Sequence, residues 1–136
     1  MYKKKFGQNY YTNRHSCFWL QYHIVLVTKQ RQPVLTGFVK ELVDQVIRDI
    51  FAEKELVILE MNGTADYIHI LFEADPFTAP GTLVNVIKTS RYVRKQYGDT
   101  FLKEYDGKSP FWSDSYFTTI GNENSRQLVQ EYIKNQ

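Results

Sequence analysis

The fold is decided by residues 67–73, YIHILFE, and by the segments on either side of them. Side chains alternate between the two faces of a strand, so odd-numbered and even-numbered positions fall on opposite faces. Positions 68, 70 and 72 are all apolar, whereas the odd-numbered face carries Tyr67 and His69. The pattern predicts a strand with one face in the core and the other free for chemistry.

Upstream of this strand, two segments have clear periodicity. Residues 19–29 are rich in aromatic and β-branched side chains, which predicts a buried strand. Residues 39–50 place apolar side chains at helical spacing and charged ones on the other side, which predicts an amphipathic helix with Thr36 as its N-cap.

The remaining segments complete an alternating order of strands and helices. A second strand is predicted at 56–61, with a tight turn at Asn62-Gly63 leading into 67–73. Pro80 suits the first turn of a helix that runs to about residue 97. A fourth strand follows at 116–120, and a final helix begins near residue 124 or 125.

The order β-α-β-β-α-β plus a C-terminal helix predicts an α+β fold of the ferredoxin-like type. The first and third strands would then lie centrally and antiparallel, with helices on one face of the sheet. We expect a single domain over residues 1–136, preceded by a basic arm at 1–16.

Composition narrows the functional classes. The chain has 136 residues and one cysteine, Cys17, which agrees with a reducing compartment, and we expect a cytoplasmic protein. No apolar run approaches the roughly 18 residues of a membrane span. A net charge of +2 does not establish a nucleic-acid partner. In the arm, clusters of basic residues are interleaved with tyrosines, which suits contacts with phosphates and stacking on bases, or simply a solvated tail.

Two spacings bring chemically active groups together. Tyr132 and Gln136 lie four residues apart on the final helix, which places them on one face, roughly 5–6 Å apart. Tyr67 and His69 share a strand face. A helix docked on that strand would bring a nucleophilic hydroxyl to metal-ligating groups. From spacing alone, core packing explains Tyr132 as well as catalysis does, and a single strand histidine such as His69 is more often a structural residue than a ligand.

A basic stripe is predicted on the second helix. Lys88, Arg91 and Lys95 recur along one side, and Arg94 lies beside them. The stripe is either a solvated helix face or a surface that binds DNA phosphates. In the second case, Arg14 would extend this surface.

Four blocks in this order resemble a known family. They are YHIVLVTK with PVL at 22–35, DYIHIL at 66–71, FWSDSYF at 111–117 and YIKNQ at 132–136. Together they resemble the single-tyrosine, HUH-type transposases of small insertion sequences, relatives of the REP-associated tyrosine transposases. The resemblance runs from about Phe18 to Gln136.

The resemblance implies a metal-dependent transposase that cleaves and rejoins single-stranded DNA with hairpin ends. Tyr132 matches the nucleophile that would form a 5′-phosphotyrosine link and release a 3′-hydroxyl. His69 matches the second histidine of the HUH pair, and Gln136 matches the third ligand of Mg²⁺ or Mn²⁺. The family also implies a homodimer in which the tyrosine helix can complete the partner's site.

One position departs from the family pattern. Tyr67 stands where the family has its first histidine, and a neutral phenol is a poor ligand for Mg²⁺ or Mn²⁺. Tyr67 can bind the metal ion weakly or through a water molecule, with Asp66 or Glu73 supplying the missing ligand. Alternatively, the site can require more metal and react slowly. The alternative is a catalytically impaired or domesticated descendant that binds hairpin DNA or structured RNA without cutting. A third interpretation is a ferredoxin-like binding module with no DNA role.

Overall fold

A computed structural model of the chain describes residues 3–4, 10–90, 111–121 and 124–136. The strands in these ranges are β1 (Lys3–Lys4), β2 (Tyr11–Thr12), β3 (Cys17–Phe18), β4 (Leu20–Thr28), β5 (Val57–Thr64), β6 (Tyr67–Ala74) and β7 (Trp112–Ile120). The helices are α1 (Gly37–Glu53), α2 (Pro80–Lys88) and α3 (Ser125–Asn135), and a 3-10 turn at Lys29–Arg31 follows β4.

The four long strands form an antiparallel sheet in the order β5-β6-β4-β7. β4 and β6 occupy the centre and pair from Leu20 opposite Ala74 to Val27 opposite Tyr67. This confirms the predicted fold class, with the first and third long strands central and antiparallel. It also confirms the alternation in β6, because one face carries the main core and the other faces α3.

The main core lies between the sheet and helices α1 and α2. Ile68, Ile70 and Phe72 of β6 are fully buried in it. The ring of Phe72 meets that of Phe51 from α1 edge to face, with 4.9 Å between centroids. Burying one such side chain stabilises a fold by about 1.5–3 kcal/mol, so this apolar face holds both helices in place.

Helix α3 packs on the opposite face of the sheet. Val129 lies against Val25 and Val27 of β4, and four half-buried side chains surround this small cluster: Tyr67, Phe117, Tyr132 and Ile133. An isolated helix of 11 residues is marginal in water, so this apolar contact is what keeps α3 formed. The predicted start of the helix at residue 124 or 125 is confirmed.

The predicted tight turn at Asn62-Gly63 is wrong. Both residues belong to β5, where Asn62 pairs with His69 and Gly63 with Ile68. The chain reverses two residues later, at positions 65 and 66. A side chain at Gly63 would meet the Tyr67 carbonyl oxygen at 2.1 Å, so this glycine serves a close backbone approach.

Further boundaries differ from prediction, and one of them is the start of β7, which lies at Trp112 and not at residue 116. Helix α2 begins at Pro80 as expected but ends at Lys88, and positions 91–97 lie outside the described residues. The short strands β1 and β2 lie in the segment 1–16 predicted as a basic arm, and they form a small sheet with β3, which follows that segment. Glu73 ties this region to the sheet, since its carboxylate accepts bonds from the Tyr11 hydroxyl (2.9 Å) and from the Trp19 indole (3.0 Å).

Candidate functional site

The two central strands bring two imidazoles together on the face that carries α3. Val25 pairs with His69, and His23 lies two residues earlier on the same face of β4. Nδ1 of His23 is 2.7 Å from Nε2 of His69, and the two rings stack with 5.0 Å between centroids. Both side chains are buried, with 2% and 5% exposure.

Both histidines of this pair are neutral near pH 7. Burial, together with a smaller effect of the adjacent His23, lowers the pKa of His69 to about 4. Burial also lowers the pKa of His23, with the Arg126 guanidinium adding to the effect. A neutral imidazole has one N–H donor and one free lone pair, so one ring donates and the other accepts across the 2.7 Å contact.

A pocket of about 170 Å³ opens beside His69 between the β5–β6 hairpin and α3. The hairpin contributes Asn62, Tyr67 and His69, while α3 contributes side chains that include Arg126 and Gln130. The Asn62 side-chain oxygen is 3.3 Å from Nδ1 of His69. The pocket therefore combines an imidazole with amide groups at a solvent-accessible surface.

Arg126 is the charged group of this pocket, and it is paired. Its two terminal nitrogens donate to the two carboxylate oxygens of Glu60 on β5. The guanidinium hydrogen bond is the main reason that the pKa of Glu60 lies below its usual range. The pair ties α3 to the sheet edge and neutralises the positive charge beside the pocket.

Tyr132 is turned away from this pocket. Its ring stacks on Phe117 of β7 with 5.0 Å between centroids, and its hydroxyl is 3.5 Å from Oγ of Ser115. Ile133, the next residue along α3, lines the pocket in its place. Within one chain the structure therefore does not bring the predicted nucleophile to His69.

Gln136 is held through its backbone at the end of α3. Arg31 donates to the carbonyl oxygens of Ile133 (2.9 Å) and Gln136 (3.0 Å), and its Nε binds the carboxylate of Asp66 at 2.8 Å. The Gln136 side chain is exposed and does not line the His69 pocket. Of the predicted ligands, the structure places Tyr67 and His69 together.

Comparison with known proteins identifies the family. Residues 16–136 match the sequence model of the family described as IS200-like transposase. The chain belongs to the IS200-like transposase family. It is 31% identical over 119 residues to the ISDra2 transposase TnpA of Deinococcus radiodurans, covering 88% of this chain and 85% of that protein. It is 30% identical over 125 residues to the transposase of element IS200 from Salmonella typhimurium, covering 90% and 80%.

Solved structures agree with this assignment. A candidate transposase from Deinococcus radiodurans R1 has a TM-score of 0.77 at 28% identity, covering 92% of this chain and 96% of that one. A REP-associated tyrosine transposase bound to a REP hairpin has a TM-score of 0.53 at 8% identity, covering 88% and 68%, which shows a shared fold alone. The chain is thus a DNA transposase of the insertion-sequence type, a DNA-processing enzyme.

The basic residues predicted to bind nucleic acid are spread over different environments in this transposase. Lys88 is half-buried, and its ammonium donates to the carbonyl oxygen of Ser113 at 2.7 Å and lies 5.8 Å from the centre of the Tyr116 ring. Arg14 is exposed. Arg91, Arg94 and Lys95 lie outside the described residues.

Three residues of the site had no role in it assigned from the sequence: His23, Arg31 and Asn62. His23 could have been found, because alternation along β4 places it on the face of Val25 and Val27, two residues from the partner of His69. Asn62 was hidden by the wrong turn assignment. Arg31 gave no local signal, since its bonds join it to residues 35 to 105 positions away.

Within the described ranges, no three His, Cys, Asp or Glu side chains cluster as metal ligands. No helix in these ranges is long and apolar enough to cross a membrane.

Proposed function

We propose that this transposase cleaves and rejoins single-stranded DNA at the ends of an insertion sequence, with Tyr132 as the nucleophile. The placement of Tyr132 is the observation that carries this proposal. Helix α3 is anchored by Val129, one turn before Tyr132, while the phenol stays half-exposed with a long 3.5 Å contact to Ser115. A hydroxyl held so weakly is available to a phosphate.

In the proposed cleavage step, the phenolic oxygen of Tyr132 bonds to a DNA phosphorus, and the bond from that phosphorus to the 3′ oxygen breaks. The phenolic proton passes to solvent, and the departing 3′ oxygen takes up a proton to become a hydroxyl. The phosphate stays joined to the tyrosine and to the 5′ oxygen of the downstream strand. Because the ester is conserved, the 3′-hydroxyl can later reverse the step without ATP.

A divalent cation, Mg²⁺ or Mn²⁺, would polarise the phosphoryl oxygens in this step. The donors beside the pocket fit such an ion, since His69 is neutral and the side-chain oxygen of Asn62 is 3.3 Å from its Nδ1. We propose His69 as one ligand and Gln136 as another. Because Gln136 is remote from the His69 pocket, it would be supplied by a second copy of the chain.

We further propose that the enzyme works in the cytoplasm as a homodimer on hairpin-ended single strands. Tyr132 faces β7, which forms one edge of the sheet over the described residues. An edge strand presents backbone groups that a second chain can pair with. A two-fold dimer along this edge would carry the tyrosine helix of each copy toward its partner.

The proposal is tested by a denaturing-gel assay for a covalent protein–DNA adduct. Labelled single strands from both flanks of the gene are incubated with the full chain and Mg²⁺ or Mn²⁺. We expect an adduct with the natural chain and none with Tyr132→Phe or with a chelator. Tyr22→Phe is the matched control, because Tyr22 is half-buried against the main core on the other face of β4. An undiminished adduct with Tyr132→Phe would remove Tyr132 from the mechanism.

The second candidate function is binding of hairpin DNA or structured RNA without cutting. One observation favours it: Tyr67 packs against the cluster around Val129, where the family has a histidine. Restoring Tyr67→His separates the two functions. A large gain in adduct formation would show that the natural site is impaired, whereas a change of less than about threefold would show that Tyr67 is tolerated.

A further inference from the structure

We propose that Asn62 replaces the missing first histidine and forms, with His69, the cation-binding pair of this chain. The inference rests on the proposed function, because it names the residue that holds the cation which the cleavage step uses. It differs from the family pattern, in which both strand positions of the pair, here Tyr67 and His69, would supply ligands.

Register places the two donors side by side. Asn62 on β5 is the direct cross-strand partner of His69 on β6. Their side-chain atoms, Oδ1 and Nδ1, are 3.3 Å apart. Two adjacent ligands of an octahedral ion, each about 2.1 Å from it, are about 3 Å from each other. The observed separation therefore suits two neighbouring ligands of one Mg²⁺ or Mn²⁺ ion.

His23 is a positioning residue in this arrangement. A cation on Nδ1 of His69 requires the proton of that ring on Nε2, from which it donates a hydrogen bond to Nδ1 of His23 across the 2.7 Å contact. Nδ1 of His69 is the nitrogen that faces Asn62. A hydrogen bond from the far nitrogen of a ligating histidine is the usual means of fixing its ring and tautomer.

The chemistry of the two candidate partners also favours Asn62. An amide oxygen is a hard donor that suits Mg²⁺, whereas a neutral phenol is a weak one. Asn62 is exposed, so water can complete the shell, while Tyr67 is half-buried in the cluster around Val129. The positive charge of Arg126 beside the pocket is already paired with Glu60.

The test is direct measurement of Mn²⁺ binding to the chelator-treated full chain, by calorimetry and by electron paramagnetic resonance. We expect Asn62→Ala to weaken the Kd about tenfold or more. Tyr67→Phe is expected to change it by less than threefold. Asn85→Ala, a loss of an exposed amide on α2, is the control and leaves the Kd unchanged.

Two further measurements test the inference if Asn62→Ala lowers the stability of the fold and so weakens binding indirectly. Asn62→Asp keeps the shape and adds charge, so we expect Mn²⁺ to bind at least threefold more tightly. Long-range proton–nitrogen NMR with saturating Mg²⁺ is expected to show the His69 proton on Nε2, whereas in the metal-free chain the Nδ1–H of His69 can donate to Oδ1 of Asn62. An Asn62→Ala Kd within threefold of the natural value, a tenfold loss in Tyr67→Phe, or absence of Mn²⁺ binding to the natural chain would overturn the inference.

The adduct assay on the same samples separates this inference from the proposed function. If the natural chain forms an adduct but Asn62→Ala does not change its Mn²⁺ affinity, the proposed cleavage reaction is supported. The same result shows that Asn62 is not a cation ligand. Conversely, Mn²⁺ binding that depends on Asn62, without any adduct from the natural chain, supports the cation pair and counts against the cleavage reaction.

Discussion

The hydroxyl of Tyr132 is directed at Ser115 on β7, 3.5 Å away, and not into the pocket of His69. The separation follows from helix geometry, because neighbouring residues point about 100° apart around a helix. Ile133 lines the pocket, so Tyr132 is turned toward β7, where its ring stacks on Phe117. With α3 in this position, we expect a chain that uses both Tyr132 and His69 to join them across two copies.

The first prediction is complementation between two inactive variants. Tyr132→Phe and His69→Ala are each expected to form no adduct alone. Mixed in equal amounts, they should recover about a quarter of the natural level. Half of the dimers are mixed, and each mixed dimer holds one intact site with tyrosine and histidine from different chains. The denaturing-gel adduct assay reads the result.

Co-refolding of the two variants is the control for slow subunit exchange. An adduct that stays absent after co-refolding would mean that Tyr132 and His69 act within one chain, which then requires α3 to leave its present position against Val25 and Val27.

The second prediction concerns stability as a function of pH. The pKa of His69 is about 4 in the folded chain, below the usual 6.5, so the unfolded state binds more protons between these values. Stability should therefore fall as the pH falls from about 6.5 toward 4. With an allowance for solvent screening, His69 contributes on the order of 1 kcal/mol to the loss between pH 7.5 and pH 5.

Urea unfolding of the chelator-treated chain at these two pH values measures the effect. His69→Gln should show a flatter pH dependence than the natural chain. The window lies above the range in which carboxylates such as Glu60 and Asp66 take up protons, because both have a lowered pKa. An equal slope in His69→Gln would mean that His69 is no harder to protonate when folded.

The periodicity of apolar residues was enough to predict the fold, because alternating residues along a strand lie on opposite faces of the sheet. The apolar positions of β6 predicted the core, and Pro80 marked the start of α2. The tight-turn signal of Asn62-Gly63 failed because tertiary context overrode it. Gly63 is needed where the Tyr67 carbonyl comes close, and pairing continues to Thr64 opposite Tyr67.

The site was less predictable, because its contacts join residues far apart in the chain. Alternation predicted that Tyr67 and His69 share a face, and both do line one pocket. The same spacing logic placed Tyr132 on α3, but the rotation of a docked helix depends on packing. Here Val129 and Phe117 set that rotation, and neither contact can be read from residue spacing.

The third prediction concerns the clamp formed by Arg31. Its guanidinium joins the end of α3 to the β5–β6 turn through Ile133, Gln136 and Asp66. Arg31→Ala removes these bonds and should destabilise the fold by about 1–2 kcal/mol. Amide hydrogen exchange in the last turn of α3 should accelerate more than exchange in α1, because the clamp holds only the former.

Gln30→Gly is the control for backbone strain. Gln30 and Arg31 both have positive φ, at 55° and 52°, where a non-glycine residue is strained. Glycine at position 30 should relieve strain while keeping the clamp, so exchange in α3 stays slow. If Arg31→Ala and Gln30→Gly alter exchange alike, the turn rather than the guanidinium governs α3.

The last prediction distinguishes Arg14 from Lys88, the two residues within the described ranges that the sequence predicted to bind DNA. Arg14 is exposed, whereas the Lys88 ammonium is engaged by the Ser113 carbonyl, and burial lowers the pKa of Lys88. Arg14→Ala should reduce the salt dependence of hairpin binding by about 0.7 in the log–log slope, the value for one phosphate contact on a single strand. Lys88→Met should leave that slope unchanged and lower stability by about 1 kcal/mol.

Gel shifts of a labelled hairpin-ended strand between 50 and 200 mM salt, about the range in which such contacts are resolved, give the slopes. Lys40→Ala is the matched control, because Lys40 lies on α1 and pairs with Asp44. A slope that falls as much in Lys88→Met as in Arg14→Ala would show that Lys88 exchanges the Ser113 carbonyl for a phosphate. In that case α2 forms part of the DNA-binding surface, because a cation that releases a counterion on binding must reach the backbone.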